Sequence, residues 1–169
     1  MYQLESINLL GNSSIGIFAT ATNKYAIFPH NIKDNAKIQA EKTLQVPIIQ
    51  TYLVASRLVG LFSVGNSHNI ILPNLITDDE YDNLKRNIPD DVNLHVLDSK
   101  ITALGNAIVC SDDAALLHPE FTSSEKKLIE DFLDVEIASK HVMNSPLVGS
   151  MIFRNDKGLL AHPLIILMN

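Results

Sequence analysis

The chain has 169 residues, 46% of them hydrophobic and 19% charged, with a formal net charge of -6 and a single cysteine. That length supports one domain with a sizeable core, and the acidic balance excludes a general nucleic-acid binder, which needs clustered Lys and Arg. It leaves room for a basic protein partner.

Cys110, the one cysteine, excludes an internal disulfide framework and points to a reducing compartment such as the cytoplasm. The N-terminus MYQLESINLL has no basic region followed by an apolar run, so no secretory signal is expected. The closing LLAHPLIILMN is broken by His162 and Pro163, and no stretch reaches the length of a membrane span.

In chain order, the first predicted hairpin is GIFATATNKYAIFP, with an apolar run Ile17–Phe18, a polar turn at Asn23 and a second run ending on Pro29. A helix over about 35–44 and a strand over 46–49 follow. LVGLFSVGNSHNIILP repeats the hairpin at 58–73, with a strand over 61–64 and a turn at Asn66. Thr77-Asp78-Asp79-Glu80 is a capping-box helix start, with Tyr81, Leu84 and Ile88 on one face and a strand over 92–97 behind it.

GNAIVCSDDAALLHP gives the third hairpin, with a strand over 107–109 and a turn at Ser111. Thr122-Ser123-Ser124-Glu125 starts its helix, whose face is Leu128, Ile129, Phe132 and Leu133, and a strand over 135–137 follows. LVGSMIFRNDKGLLAHP at 147–163 is a fourth hairpin, with a strand over 151–153 and a turn at Asn155. Gly16, Gly60, Gly105 and Gly149 are spaced 44, 45 and 44 apart, and Pro29, Pro73, Pro119 and Pro163 are spaced 44, 46 and 44 apart. A fixed period of this size marks a repeat architecture. The unit is ββαβ, over about 14–57, 58–102, 103–146 and a partial 147–169 within a single domain. Capped helices count against a four-stranded propeller blade, so the residues point to a radial α/β propeller.

The stretches SIGIFATATNKYAIFP, LVGLFSVGNSHNIILPNLITDDE, SKITALGNAIVCSDDAALLHPE and PLVGSMIFRNDKGLLAHP strongly resemble archaeal and eukaryotic translation initiation factor 6, in order from Ser14 to Pro163. The resemblance implies the pentein fold, five ββαβ units around a pseudo-fivefold axis. It implies a non-catalytic, cytoplasmic ribosome anti-association factor on the intersubunit face of the large subunit, acting in subunit biogenesis and initiation. The implied partner is chiefly a basic ribosomal protein near the sarcin-ricin loop, with no membrane, cofactor, metal or small-molecule substrate. The implied ribosome-binding residues are Gly60, Leu61, Asn66, Gly105, Asn106, Ser150 and Met151. Leu61 stands where eukaryotic members often carry Arg, and Met151 where they carry an aromatic residue.

Against a five-unit pattern the chain supplies three complete units and the hairpin of a fourth, and Leu164–Asn169 is apolar where a capped helix start belongs. The expectation is a C-terminally truncated member, with a reduced protein whose tail closes the ring, or a non-functional fragment, as alternatives. Pentein folds also host guanidine-modifying enzymes with a Cys nucleophile. Cys110 is a poor candidate, because it ends an apolar strand beside Asp112 and Asp113 and lacks an electropositive setting. His30, His68, His95, His118, His141 and His162 have no metal-ligand spacing, and GNSHN is not a phosphate loop.

Overall fold

The computed structural model describes residues 5–155 and 158–161. A 3-10 turn at Ile15–Ile17 leads into strands β1 (Thr20–Ala21) and β2 (Ala26–Pro29), helix α1 (Asp34–Leu44) and strand β3 (Ile48–Thr51). Helix α2 (Val59–Phe62) then precedes β4 (Val64–Gly65), β5 (Asn69–Pro73), α3 (Asp78–Asn87) and β6 (Asn93–Leu97). Helix α4 (Leu104–Ala107) precedes β7 (Ile108–Cys110), β8 (Ala114–Leu117), α5 (Ser123–Leu133) and β9 (Glu136–Ser139). Helix α6 (Val148–Met151) and the hairpin β10 (Ile152–Asn155) and β11 (Gly158–Ala161) follow.

The architecture is mixed α/β, built from small sheets. In each three-stranded sheet the middle strand pairs antiparallel with its hairpin partner and parallel with the strand beyond the helix: β2 with β1 and β3, β5 with β4 and β6, β8 with β7 and β9. The helix is the crossover that a parallel pairing requires. Among the described residues β11 pairs with β10 alone.

Alternation along the middle strands divides the core. Ala26 and Phe28 of β2 face one way and pack with Leu9, Phe18 and Ala40 of α1. Ile27 faces the other way, with Tyr25 and Ile49, against Ile70 and Leu72 of β5 and Leu84 and Ile88 behind it. Ile71 and Val64 repeat that step against Ala115 and Leu117 of β8 and Ile129 and Leu133 of α5. Each sheet therefore gives one face to its own helix and the other to the next repeat.

Both capping boxes form as the sequence predicts: Thr77 Oγ1 accepts from Glu80 N at 3.3 Å and Thr122 Oγ1 from Glu125 N at 3.2 Å, with each glutamate returning to the cap N–H. Leu84 and Ile88 are buried, as are Ile129 and Leu133. Leu128, expected on that inner face, is 43% exposed, because it lies one residue off the 129–132–133 stripe.

Several boundaries differ from expectation. The residues after each repeat glycine, expected as strand over 17–18, 61–64, 107–109 and 151–153, first make one helical turn and become extended only at Thr20, Val64, Ile108 and Ile152. An apolar run of this length does not distinguish strand from buried turn, and the packing of the glycines, described below, selects the turn. The strands behind the helices are β3, β6 and β9, so the first begins two residues later than expected.

The turn residue of the first hairpin is Thr22 rather than Asn23. Thr22 Oγ1 accepts from the Lys24 and Tyr25 N–H groups, as Asn66 Oδ1 does from His68 and Asn69 and Ser111 Oγ from Asp113 and Ala114. Pro29 and Pro73 end β2 and β5 within the ladder, whereas β8 stops at Leu117 and Pro119 stands beyond it. Pro163, His162 and the segment 164–169 lie outside the described residues.

Candidate functional site

The 3-10 turn and α2, α4 and α6 lie side by side in chain order, each touching the next. Their glycines make this possible. A Cβ on Gly60 would run into the Gly16 carbonyl oxygen, one on Gly105 into the Gly60 carbonyl oxygen, and one on Gly149 into the Gly105 carbonyl oxygen. Backbone packs on backbone at each step, which is why a residue without Cβ recurs at the repeat period.

These four turns bring Gly60, Leu61, Gly105, Asn106, Ser150 and Met151 into one row, and no residue within them is charged. Leu61, Asn106 and Met151 are half-buried and Ser150 is exposed. Ile15, Ile17 and the N-capping Leu147 are about two-fifths exposed, at 41%, 38% and 41%. The Asn106 side-chain amide makes no hydrogen bond among the described residues, although its backbone N–H closes the turn onto Ala103 O at 3.0 Å. No buried side-chain nitrogen or oxygen lacks a partner there, so that amide meets solvent. A half-buried amide with open donors and acceptors, in a row of uncharged turns, is suited to anchor a partner's backbone.

Asn66 is placed differently. It sits in the β4–β5 turn, 1% exposed, and all its polar atoms are committed. Oδ1 accepts from His68 N at 3.0 Å and Asn69 N at 2.9 Å, while Nδ2 donates to Leu133 O at 2.8 Å, the last carbonyl of α5. It therefore joins the second hairpin to the third helix.

The hairpin turns form a second polar cluster. Tyr25 Oη donates to Asn66 O at 2.9 Å, and Ser67 N and Oγ donate to the two Asp112 oxygens at 2.8 and 2.7 Å. Burial works against the charged Asp112 carboxylate, but the Ser67 N–H and hydroxyl, with Arg154, outweigh it and hold this carboxyl below its usual range. Cys110 Sγ donates to Gly65 O at 3.1 Å, and burial pushes its thiol up to about 11 against the pull of Arg154. His118 is occupied elsewhere: its Nδ1 accepts from Glu120 N at 3.1 Å and its ring meets Phe121 edge-on. The cluster thus holds a thiol protonated at neutral pH, with no histidine base on it.

Among the described residues no group of three or more His, Cys, Asp or Glu is placed to hold a metal ion, and no helix is long and apolar enough to cross a membrane. Sequence reasoning missed the tight turns before the glycines. Leu9–Asn12, Leu53–Ser56 and Val142–Ser145 are two-residue turns with both central residues at positive φ, for example Val54 at 57° and Ala55 at 52°. Only Gly11 and Asn144 carry the usual signal for such turns.

Residues 4–166 match the model of the eIF-6 family. The chain is 33% identical over 154 residues to eukaryotic translation initiation factor 6 of Neurospora crassa, covering 90% of this chain and 63% of that protein. It is 31% identical over 157 residues to the factor of Encephalitozoon cuniculi, covering 93% and 65%. It is 35% identical over 162 residues to translation initiation factor 6 of Staphylothermus marinus, covering 95% and 71%. The chain thus spans less than two thirds of the length of the first two of these relatives. Among solved structures, C. jejuni agmatine deiminase superimposes with a TM-score of 0.48 and 12% identity, over 75% of this chain and 50% of that one. The chain belongs to the eIF-6 family, whose curated members named above are translation initiation factors.

Proposed function

We propose that this protein binds the intersubunit face of the large ribosomal subunit and keeps the small subunit from joining, as a non-catalytic, cytoplasmic factor of subunit biogenesis and initiation. The repeats make one pentein-type domain over 1–169, arranged around a pseudo-fivefold axis. The partner is chiefly a basic ribosomal protein near the sarcin-ricin loop. The observation that carries this reading is the uncharged row of turns with the uncommitted Asn106 amide.

The mechanism is occlusion. Leu61 and Met151 supply apolar contact, Gly60 and Gly105 let the turns pack close enough to form one contact row, and Asn106 and Ser150 supply hydrogen bonds. Asn66 acts one step back, by fixing the turn that precedes β5. The net charge of -6 accelerates encounter with a basic surface without entering the contact itself. A thiol held at about 11 gives no support to guanidine chemistry at Cys110.

The test is sedimentation of the purified chain with large subunits, followed by a subunit-joining gradient. Co-sedimentation and reduced joining are expected. Asn106→Ala weakens both and Cys110→Ser neither. Joining that proceeds unchanged at micromolar protein would defeat the proposal.

A further inference from the structure

The carboxylate of Glu80 is held by three backbone amides that belong to two elements. Its Oε2 accepts from Thr77 N and Val54 N, both at 3.1 Å, and its Oε1 accepts from Ala55 N at 2.7 Å. Val54 and Ala55 are the central residues of the Leu53–Ser56 turn, with φ of 57° and 52°. Successive turn amides of this kind make a concavity that suits an anion. The third repeat seats a carboxylate at the corresponding place: Glu125 accepts from Thr122 N at 2.6 Å, with the Ser99 side chain bonded to it.

The first repeat keeps the frame and lacks the acid. Leu9, Ile32 and Ala40 pack in one cluster, and the residues 44 further on, Leu53, Ile76 and Leu84, pack together in the next. The Leu9–Asn12 turn therefore stands against α1 as the Leu53–Ser56 turn stands against α3. Its central residues Leu10 and Gly11 also have positive φ, at 53° and 81°. Helix α1, however, carries Ala36 where α3 carries Glu80, and its N-cap is Lys33 where α3 has Thr77. Among the described residues no acceptor meets Leu10 N, Gly11 N or Lys33 N, and all three residues are exposed.

We propose that these three amides form a binding site for a carboxylate supplied from outside the chain. One oxygen bridges Leu10 N and Lys33 N and the other accepts from Gly11 N, the pattern that Glu80 makes one repeat later. The carboxylate of Glu80 is what selects the ligand chemistry, since the equivalent amides already hold that group. Exchange of Thr for Lys at the N-cap adds a positive charge at the rim, which strengthens hydrogen bonding to an incoming anion. Asp34 is no obstacle, because α3 holds Glu80 with Asp78 at the same place and Asp79 beside it. The site uses no residue of the glycine row.

Amide NMR of the isotope-labelled chain, titrated with sodium acetate at constant ionic strength, tests this. Saturable downfield shifts of the Leu10, Gly11 and Lys33 amides are expected, half complete on the order of 10 mM for one exposed carboxylate. A second arm uses glutamate blocked at both backbone ends. Tighter binding than acetate assigns the site to an acidic side chain of a polypeptide, and equal binding assigns it to small organic acids. Ala36→Glu puts the acid of the second repeat into the first. It should shift the three amides without acetate, abolish their response to acetate and raise the melting temperature by about 2 °C or more. The proposal is overturned if acetate leaves the three amides in place or if they respond equally in Ala36→Glu. It is also overturned if sulfate at the same ionic strength shifts them as strongly as acetate, because two planar oxygens would then not be what the site recognises.

Discussion

Asn66 and Asn106 share a residue type and a place near a repeat glycine, and the environment separates their work. Asn66 is sealed in with three side-chain hydrogen bonds made, so Asn66→Ala leaves two turn N–H groups short of a partner and Leu133 O with only the longer bond from Asn69 Nδ2 at 3.4 Å. A loss of about 2–3 kcal/mol is expected by denaturant melts, in line with orphaning buried groups. Asn106→Ala removes no internal bond and should leave stability within about 0.5 kcal/mol, the usual range for such surface sites. The same reasoning governs the ionisable residues. Cys110, protonated and buried, should react with iodoacetamide only as fast as the chain opens, and free-thiol kinetics in the native state would contradict its assigned place. Asp112 has a folded pKa below its ordinary value of 3.8, so it binds fewer protons folded than unfolded at acid pH. Its contribution is therefore complete above about 4 and is lost as pH falls through the depressed folded value. Ser67→Ala removes the hydroxyl donor, so the Asp112 midpoint should move up toward 3.8 in a carboxyl NMR titration. A midpoint that stays put would assign the depression to the Ser67 N–H and Arg154 instead.

Helix α3 shows how one side chain can serve two elements. Glu80 closes its own capping box by accepting from Thr77 N at 3.1 Å, and its carboxylate also accepts from Val54 N at 3.1 Å and Ala55 N at 2.7 Å. Those two amides belong to the positive-φ turn that joins β3 to α2, a conformation that disfavours a β-branched residue such as Val54. The carboxylate holds the strained turn in place. Val54→Asn, which tolerates positive φ, should raise stability by about 1 kcal/mol. Glu80→Ala should lower it by about 1–2 kcal/mol, more than a cap alone, since turn donors are lost as well. Both are read by thermal melts of the pure chain, and equal melting of Val54→Asn and the parent would mean that Glu80 already removes the strain. This pairing was hidden from sequence reading. The capping box was legible because its two residues stand three apart, but the turn is 25 residues upstream and carries Val-Ala where Asn-Gly would have announced it. The repeat period, the helices and the middle strands were legible for the same local reason. The one-turn helices were not, since their conformation is decided by a neighbouring glycine carbonyl about 45 residues away. For the candidate site, the period located Gly60, Gly105 and Gly149, while the difference between Asn66 and Asn106 lies in partners that only the folded chain brings together.

Stacked repeats distribute stability unevenly, because each sheet needs a helix on one face and a neighbour on the other. The second repeat has both: Ile70 and Leu72 lie against Leu84 and Ile88, while Ile71 meets the third repeat. The β10–β11 hairpin has Arg154 beside Cys110 and Asp112 and the glycine contact of α6, but its apolar side chains Phe153, Leu159 and Leu160 remain mostly exposed. Three large side chains left in water forgo on the order of 1.5–3 kcal/mol each relative to full burial. That is comparable to a large part of a typical domain's stability, so the hairpin should open without the rest of the chain. Hydrogen exchange of the dilute chain gives the measurement. Backbone amides of β10 and β11 should exchange by local opening, well before those of β5, whose residues are all buried and which pairs on both edges. Exchange of β11 as slow as that of β5 would mean that the last hairpin is covered, and its exposed face would have to be reassigned.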